Sequence, residues 1–370
     1  MPIFRRGKEQ AAAALRAIPA PVHVPAQSSA PAPVAAPAAA APAAPAAPAA
    51  PLPDLPDLPD LPEARTVPAE GDAVLVGLLD AAKARDWQAI RTGLSGYDGQ
   101  DFSALAANLA SYAPELDEWL PDVVGDGKGD ALARLVLGVR VCERGWKIRT
   151  GARATKVSRE QFDAFHAHLR ESEEYFYDVA ELDRTSAAPW CQLLINARGL
   201  SVGLPVTRRR FEAVVGRCPS HAGAHRQMLQ SLCRKWSGTN EQMHAFALEA
   251  MRGPYSMRLS HLVPSAHIEY WIDLDKNERQ AHMTSTSVRD ELLEAADRSI
   301  FDPGYTAPPR APYFEYNAFA MALALAGLHA QARAAFEATD GIVTKSPWQY
   351  LTGNAVASYT KWRETSFRAA

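Results

Sequence analysis

The stretch CPSHAGAHRQMLQSLCRKWSGTNEQMHAFALEAM, residues 218–251, carries the clearest structural pattern in the chain. Apolar and histidine side chains recur three or four residues apart on either side of a short polar break, which is the spacing of one helix face. They are His221, His225, Met228, Leu232 and Trp236 before the break, and Met243, Phe246, Ala247, Ala250 and Met251 after it. The stretch therefore predicts two helices joined by a tight turn.

The predicted turn is Trp236-Ser237-Gly238-Thr239. Thr239 and Gln242 have the spacing of a capping box, in which the hydroxyl accepts a first-turn amide and the glutamine returns a bond. We expect Gly238 to supply the backbone freedom that the turn needs. Ser158 and Gln161 predict a second capping box at the start of another helix.

Helical spacing continues almost without a break from residue 71 to the end of the chain. No stretch alternates with a period of two, so a sheet is not expected. Outside the opening stretch the predicted helices cover 72–84, 86–94, 102–112, 116–120, 130–148, 158–179, 189–200, 207–217, 259–274, 287–301, 313–328, 330–339 and 347–363. Many helices with short connections predict an all-α fold, an α-solenoid of antiparallel helix pairs.

Two windows resemble the tetratricopeptide repeat, in which small residues let two helices approach and large ones fill the groove between pairs. One contains Tyr316, Phe319, Ala320, Leu323, Ala332 and Phe336, with Gly327 between the helices. The other contains Trp190, Leu193, Leu194, Ala197, Thr207, Phe211 and Pro219, with one extra residue between its halves. The chain therefore resembles a degenerate tetratricopeptide-like protein.

A second resemblance concerns the turn itself. Lys235-Trp236-Ser237-Gly238-Thr239, followed by Met243 and Phe246-Ala247, is similar to a K-W-x-G-[ST]…M…F-A turn in a bacterial domain family of uncharacterised function. The resemblance covers roughly residues 140–250, as expected for a few repeats. It marks Trp236, Gly238 and Thr239 as a structural repeat turn, and it brings no activity with it.

The chain divides into three predicted parts: a short basic peptide (1–18), an Ala/Pro-rich linker (19–70) and a helical-repeat domain (71–370). Dense proline removes amide donors and blocks helix formation, so we expect the linker to be disordered and extended. It would tether the tip Ile3-Phe4-Arg5-Arg6, either as a docking peptide for a partner or membrane surface or as a free end.

Composition excludes several classes of protein. The net charge of −3 gives no global field for nucleic acid. No apolar run is long enough for a membrane-spanning helix. The four cysteines form no C-x-x-C pair, which favours a reducing cytoplasm over a disulfide-bonded protein.

One group of residues suggests a metal site: Cys218, His221, His225, Cys233 and His244. Two histidines four residues apart share a helix face, and nearby thiolates suit Zn²⁺. However, His221 and His225 also lie on the apolar stripe, where packed or capping histidines are expected. We predict no metal and no cofactor, and keep a metal-dependent enzyme or metal-binding protein using His221, His225 and Cys233 as an alternative.

No nucleophile elbow, phosphate loop or dinucleotide motif occurs, so no catalytic residue is predicted. The leading hypothesis is an interaction scaffold or adaptor that binds a peptide or helix of a partner protein in the solenoid groove. The candidate binding residues are Trp190, Tyr175, Tyr177, Arg226 and Lys235. A membrane-associated scaffold, acting through the N-terminal peptide, is the other alternative.

Overall fold

The structure is a computed structural model that describes residues 61–125, 129–151, 156–310 and 312–369. The predicted N-terminal peptide and the linker up to residue 60 lie outside the described residues. In the described ranges the regular structure is helical, apart from one isolated parallel bridge between Arg65 and Ile342. The prediction of an all-α fold is therefore confirmed. Over these ranges, no helix combines the length and the apolar character needed to cross a membrane.

A 3-10 helix, Pro68–Gly71, precedes the α-helices. In chain order these are α1 Ala73–Lys83, α2 Trp87–Leu94, α3 Gly99–Tyr112, α4 Leu116–Val124, α5 Ala131–Arg149, α6 Arg159–Leu182, α7 Ala188–Gly199, α8 Leu204–Val215, α9 Ala222–Leu232, α10 Asn240–Arg252, α11 Ser256–Leu259, α12 Leu262–Asp273, α13 Lys276–Met283, α14 Thr286–Asp297, α15 Pro312–Leu325, α16 His329–Ala338, α17 Lys345–Thr352 and α18 Ala355–Ala369.

Consecutive helices pack against each other as pairs. The main pairs are α5 with α6, α7 with α8, α15 with α16, and α17 with α18. Each pair also contacts its neighbours, as α6 does with α7, α9 with α7, and α12 with α15. Contact between neighbouring helix pairs is what an α-solenoid requires, and the solenoid arrangement itself stays a prediction.

Three clusters of buried side chains make up the core. The largest runs from α9 to α18 and includes Phe319 and Trp348, both completely buried. A second runs from the N-terminal helices to α7 and includes Phe165 and Phe176. A small third cluster, centred on Leu194, joins α7, α8 and α9. Residues of α9 also belong to the largest cluster. The surface around α9 is therefore positioned by contacts with helices before it and after it in the chain.

The repeat window in α15 and α16 folds as a helical hairpin. Phe319, Ala320, Leu323, Ala332 and Phe336 are all buried. Gly327 lies in the turn with φ of +70°, where a side chain would be strained. The apolar spacing thus locates both helices of this pair.

The division into helices differs from the prediction in several places. The predicted helix 259–274 corresponds to α12, which begins at Leu262 after α11 ends at Leu259, and the predicted helix 347–363 is divided at Gly353, where φ is +81°. Helix α13 was not predicted, because Met283 is its only buried residue and its sequence has no apolar stripe.

The folded part begins earlier than residue 71, where the linker was predicted to end. The amide of Arg65 donates to the carbonyl of Gly341 at 2.9 Å, and the amide of Val343 donates to the carbonyl of Arg65 at 2.8 Å. Arg363 Nη1 donates to the carbonyl of Pro62 at 2.7 Å. Residues 61–70 are therefore packed against the C-terminal helices, which a composition rich in proline does not reveal.

Both predicted capping residues accept hydrogen bonds. Ser158 Oγ accepts from the Gln161 amide at 3.2 Å and Gln161 Oε1 accepts from the Ser158 amide at 3.0 Å, so the first box is complete. Thr239 Oγ1 accepts from the Gln242 amide at 3.2 Å, which caps α10. The side chain of Gln242 returns no bond, so only half of this box forms.

The reason for glycine at position 238 differs from the prediction. The φ angle of Gly238 is not in the left-handed region, so the turn does not need special backbone freedom there. Instead, a Cβ atom would lie 2.2 Å from the backbone oxygen of Leu232. Glycine is required because the chain returns onto the end of α9.

Candidate functional site

Two cavities meet at a shared wall formed by Arg226, Gln227 and Phe314. The first has a volume of about 320 Å³ and is lined mainly by α3, α7 and α9. The second, about 260 Å³, is lined mainly by α9, α12, α15 and α17. We call the two cavities together the central groove.

The shared wall is ordered by its own contacts. The Arg226 guanidinium lies 4.4 Å from the centre of the Phe314 ring, within range of a cation–π interaction. Arg198 Nη1 donates to Gln227 Oε1 at 2.6 Å. Arg198 also lies over the ring of Trp236, 5.3 Å from its centre. The repeat turn is thereby connected to the groove.

Side-chain amides line both cavities. They belong to Gln100, Asn108, Gln192, Gln227 and Gln230. Each amide offers a carbonyl acceptor and an NH₂ donor. Gln100 already bonds a backbone in this way, since its Oε1 accepts from the Ala222 amide at 2.6 Å. The lining suits a ligand that carries donors and acceptors together.

His221 lines the first cavity and carries a buried hydrogen-bond donor that has no partner among the described residues. It is the N-cap of α9, and its Nδ1 accepts from the Ala224 amide at 3.1 Å. A neutral ring that accepts at Nδ1 carries its proton at Nε2. Burial, followed by the charge of Arg226, lowers the pKa of His221 to about 4, so the ring is neutral at pH 7. Nε2 is buried and has no partner among the described residues.

The first cavity also contains the carboxyl group of Glu315, which is buried. It accepts from the Tyr305 hydroxyl at 2.6 Å, and its Oε1 lies 3.6 Å from His261 Nδ1. Burial raises the pKa of Glu315 and lowers the pKa of His261 to about 3. Both shifts favour the uncharged forms, so this side of the groove is polar with little charge.

The five predicted binding residues lie in two places. Arg226 lines both cavities. Lys235 lines neither cavity, but its Nζ lies 2.5 Å from Oε2 of Glu269, which lines the second one. Tyr177 and Trp190 pack edge to face at 6.4 Å and line neither cavity of the groove.

Tyr175, the fifth predicted residue, is half-buried where α6 approaches α5. A Cβ atom added to Gly138 would lie 2.9 Å from the Cβ of Tyr175. Burial raises the pKa of the Tyr175 hydroxyl. Like Tyr177 and Trp190, Tyr175 is outside the lining of the central groove.

The predicted metal ligands on α9 do not converge. The ring of His225 packs between those of Phe211, at 4.9 Å, and Phe246, at 5.9 Å. The Cys233 thiol lies 3.3 Å from the Met243 sulfur, and burial raises its pKa to about 12, which disfavours the thiolate that a metal needs. His221 is a helix cap, so the three residues that were kept as an alternative metal site make separate contacts.

The other two members of that group are also separated. Cys218 faces α3, with its Sγ 3.4 Å from the position of a Cβ on Gly99. His244 belongs to a different group, which we call the His–Glu cluster: His244, His267 and Glu291. Their ligand atoms lie within 4.8 Å of one another, and among the described residues this is the group that could hold a metal ion.

Sequence reasoning missed most of the His–Glu cluster. His267 lies in an apolar helix and resembles a core residue, while Glu291 lies on an amphipathic helix and resembles a surface residue. The three residues come from α10, α12 and α14, and no regular spacing relates them. Helix α13, which lies between α12 and α14 in the chain, was not predicted. Without it, nothing in the sequence indicated that α12 and α14 are neighbours.

No protein-family model, curated protein or solved structure matches this chain. The resemblance to tetratricopeptide repeats and to the bacterial family with the K-W-x-G-[ST] turn therefore stays a prediction. Functional inference depends on the groove and on the clusters of side chains.

Proposed function

We propose that the chain is a binding module that takes an extended peptide segment of a partner protein into the central groove. The observation that carries this proposal is the buried Nε2–H of His221, which has no partner in the described part of the chain. Buried donors are nearly always satisfied, so a ligand acceptor is the natural partner. A peptide carbonyl is such an acceptor.

The amides of the groove support a peptide over other ligands. An extended chain exposes a carbonyl and an N–H at each residue, and both need partners when they leave water. Gln192 and Gln227, on facing helices α7 and α9, offer both kinds of group. Main-chain bonding of this kind is a general mode of peptide recognition.

The charges around the groove favour a ligand without strong net charge. Arg310 pairs with Asp72 at 2.5 Å, and Lys235 pairs with Glu269 at 2.5 Å. Pairing of these two cations with carboxylates reduces the positive field that they offer to the phosphates of a nucleic acid. Neighbouring charges of both signs suit a peptide that carries acidic and basic side chains better than they suit a nucleic acid.

Binding peptides selected from a displayed random library on the full chain would test the proposal, with affinity measured by fluorescence anisotropy. We expect His221→Asn to weaken binding about tenfold, the value of one hydrogen bond, because asparagine keeps the helix cap but removes the Nε2 donor. Tyr177→Ala is the control, since Tyr177 is exposed and outside the groove. Equal affinities of His221→Asn and the parent, with a loss in Tyr177→Ala, would place binding elsewhere.

We further propose that the module works in the cytoplasm. All four cysteines are free thiols, and three of them are buried. Such thiols persist in a reducing compartment. The N-terminal peptide 1–18 stays a predicted docking segment, since it lies outside the described residues.

A further inference from the structure

The His–Glu cluster brings together side chains from three helices. His244 Nε2 and His267 Nε2 lie 2.7 Å and 2.9 Å from the same oxygen, Oε2 of Glu291. The two rings are 5.2 Å apart. A cavity of about 260 Å³ adjoins them and is lined also by His282 of α13. Metal sites in helical proteins are built in this way, from side chains of facing helices.

The carboxylate of Glu291 faces both imidazoles, and its Oε2 is within hydrogen-bond distance of each of them. Two imidazoles and one ionised carboxylate, all within reach of one point, form a donor set that borderline divalent ions such as Zn²⁺ prefer.

His282 adds a fourth nitrogen with no partner. Its Nε2 is buried and unbonded among the described residues, and its ring lies 5.4 Å from that of His267. An imidazole nitrogen in this position can act as a ligand or form a hydrogen bond with a metal-bound water.

We propose that His244, His267 and Glu291 bind one divalent transition-metal ion of the Zn²⁺ type, with His282 beside the fourth coordination position. The inference does not rest on the peptide groove, because none of these residues lines it.

The present distances are close to those that coordination needs. A tetrahedral ion with bonds of about 2.0 Å separates its ligand atoms by about 3.3 Å. The two nitrogen–oxygen distances, 2.7 Å and 2.9 Å, are a few tenths of an ångström shorter. Glu291 therefore has to move outward slightly, and the two histidine nitrogens, which lie within 4.8 Å of each other, have to reach about 3.3 Å. His244 and Glu291 are partly exposed, at 38% and 21%, and leave a path for the ion.

Ion binding requires the protons to move. A carboxylate only accepts hydrogen bonds, so both histidines carry a proton on Nε2 when they bond Glu291. To ligate through Nε2, each neutral ring must hold its proton on Nδ1 instead, and a cationic ring must release one proton to solvent.

Calorimetric titration of the untagged, chelator-treated full chain with Zn²⁺ tests the site. We expect one ion per chain, with affinity reduced at least about a hundredfold in Glu291→Gln and in His244→Gln, more than outer-sphere changes usually cost. Co²⁺ gives a second readout, because tetrahedral coordination produces intense visible absorption. Its bands should be lost in both variants and altered in His282→Gln.

The matched control is His168→Gln, which removes another partly exposed histidine beside a glutamate, with His168 Nδ1 3.5 Å from Glu171 Oε2. It should bind Zn²⁺ like the parent. Circular dichroism checks that each variant folds. If Glu291→Gln does not fold, the titration of His244→Gln decides the result. No saturable uptake, or equal uptake in parent, Glu291→Gln and His244→Gln, would overturn the proposal. Groove variants should leave Zn²⁺ binding intact, so the two proposals fail separately.

Discussion

At the residue scale, three buried histidines have different roles in the structure. His221 caps α9, while His225 packs between aromatic rings. His261 is completely buried beside Glu315. In all three, burial is the main cause that lowers the pKa. The shared consequence is that folding keeps these rings neutral.

Acid should therefore destabilise the protein partly through His221. Its pKa falls from 6.5 to about 4 on folding, so between those values the unfolded chain binds a proton that the folded chain does not. Stability is present above pH 6.5 and is lost as the pH falls toward 4. Between pH 6.5 and 4.5 the parent should lose about 2 kcal/mol of its free energy of unfolding through His221. His221→Asn should not show this loss, because asparagine caps the helix without titrating.

Urea unfolding of the parent and His221→Asn at several pH values measures the difference. His168→Asn, a substitution of a partly exposed histidine, serves as the control and should keep the pH dependence of the parent. A His221→Asn curve parallel to that of the parent from pH 6.5 to 4.5 would contradict the assignment.

At the element scale, the turn between α9 and α10 joins neighbouring helix pairs. Trp236 packs edge to face on Trp146 of α5, with ring centres 6.3 Å apart. It also lies under Arg198 of α7, which bonds Gln227 in the groove. The turn is therefore a contact between elements as well as a connection within one pair.

Gly238→Ala should destabilise the protein by about 2 kcal/mol, the usual cost of an overpacked site. The added Cβ would lie within 2.6 Å of three backbone atoms of Leu232, and backbone cannot rotate away as a side chain can. The midpoint of urea unfolding measures the effect.

Gly96→Ala is the matched control. Gly96 also lies in a turn outside the left-handed region, but nothing stands within 4 Å of its added Cβ. We expect its stability to change by less than about 0.5 kcal/mol. Equal effects of the two substitutions would mean that close approach to Leu232 is not why position 238 needs glycine.

At the scale of the whole molecule, residues 61–70 form hydrogen bonds with residues near the C-terminal end of the chain. Arg65 bonds the backbone at Gly341 and Val343, and Pro62 accepts from Arg363 of α18. A Cβ on Gly341 would lie 2.6 Å from the carbonyl oxygen of Glu63, so this contact is close. The segment limits how far the C-terminal helices can separate from the rest.

A chain that begins at residue 71 should be less stable than one that begins at residue 61, by about 2 kcal/mol. It lacks the hydrogen bonds of Arg65 with Gly341 and Val343 and that of Pro62 with Arg363, each contributing about 0.5–1.5 kcal/mol. Urea unfolding of the two chains and the full-length protein measures this. The full-length protein should match the chain that begins at 61, and equal midpoints for the 61 and 71 chains would contradict the role of the segment.

The sequence alone determined which segments are helical. Apolar spacing located the α15–α16 hairpin and the Ser158 box located the start of α6, because helix hydrogen bonds and caps join residues a few positions apart. It failed at α13, which has no apolar stripe to reveal it.

Tertiary structure alone decided which side chains meet. His244, His267 and Glu291 are remote in sequence, and only the packing of α10, α12 and α14 brings them within 4.8 Å. The same packing left His221, His225 and Cys233 on separate contacts, although they are neighbours in sequence. The physical reason is that a local pattern fixes the face of a helix, whereas the partner of that face depends on how the helices stack.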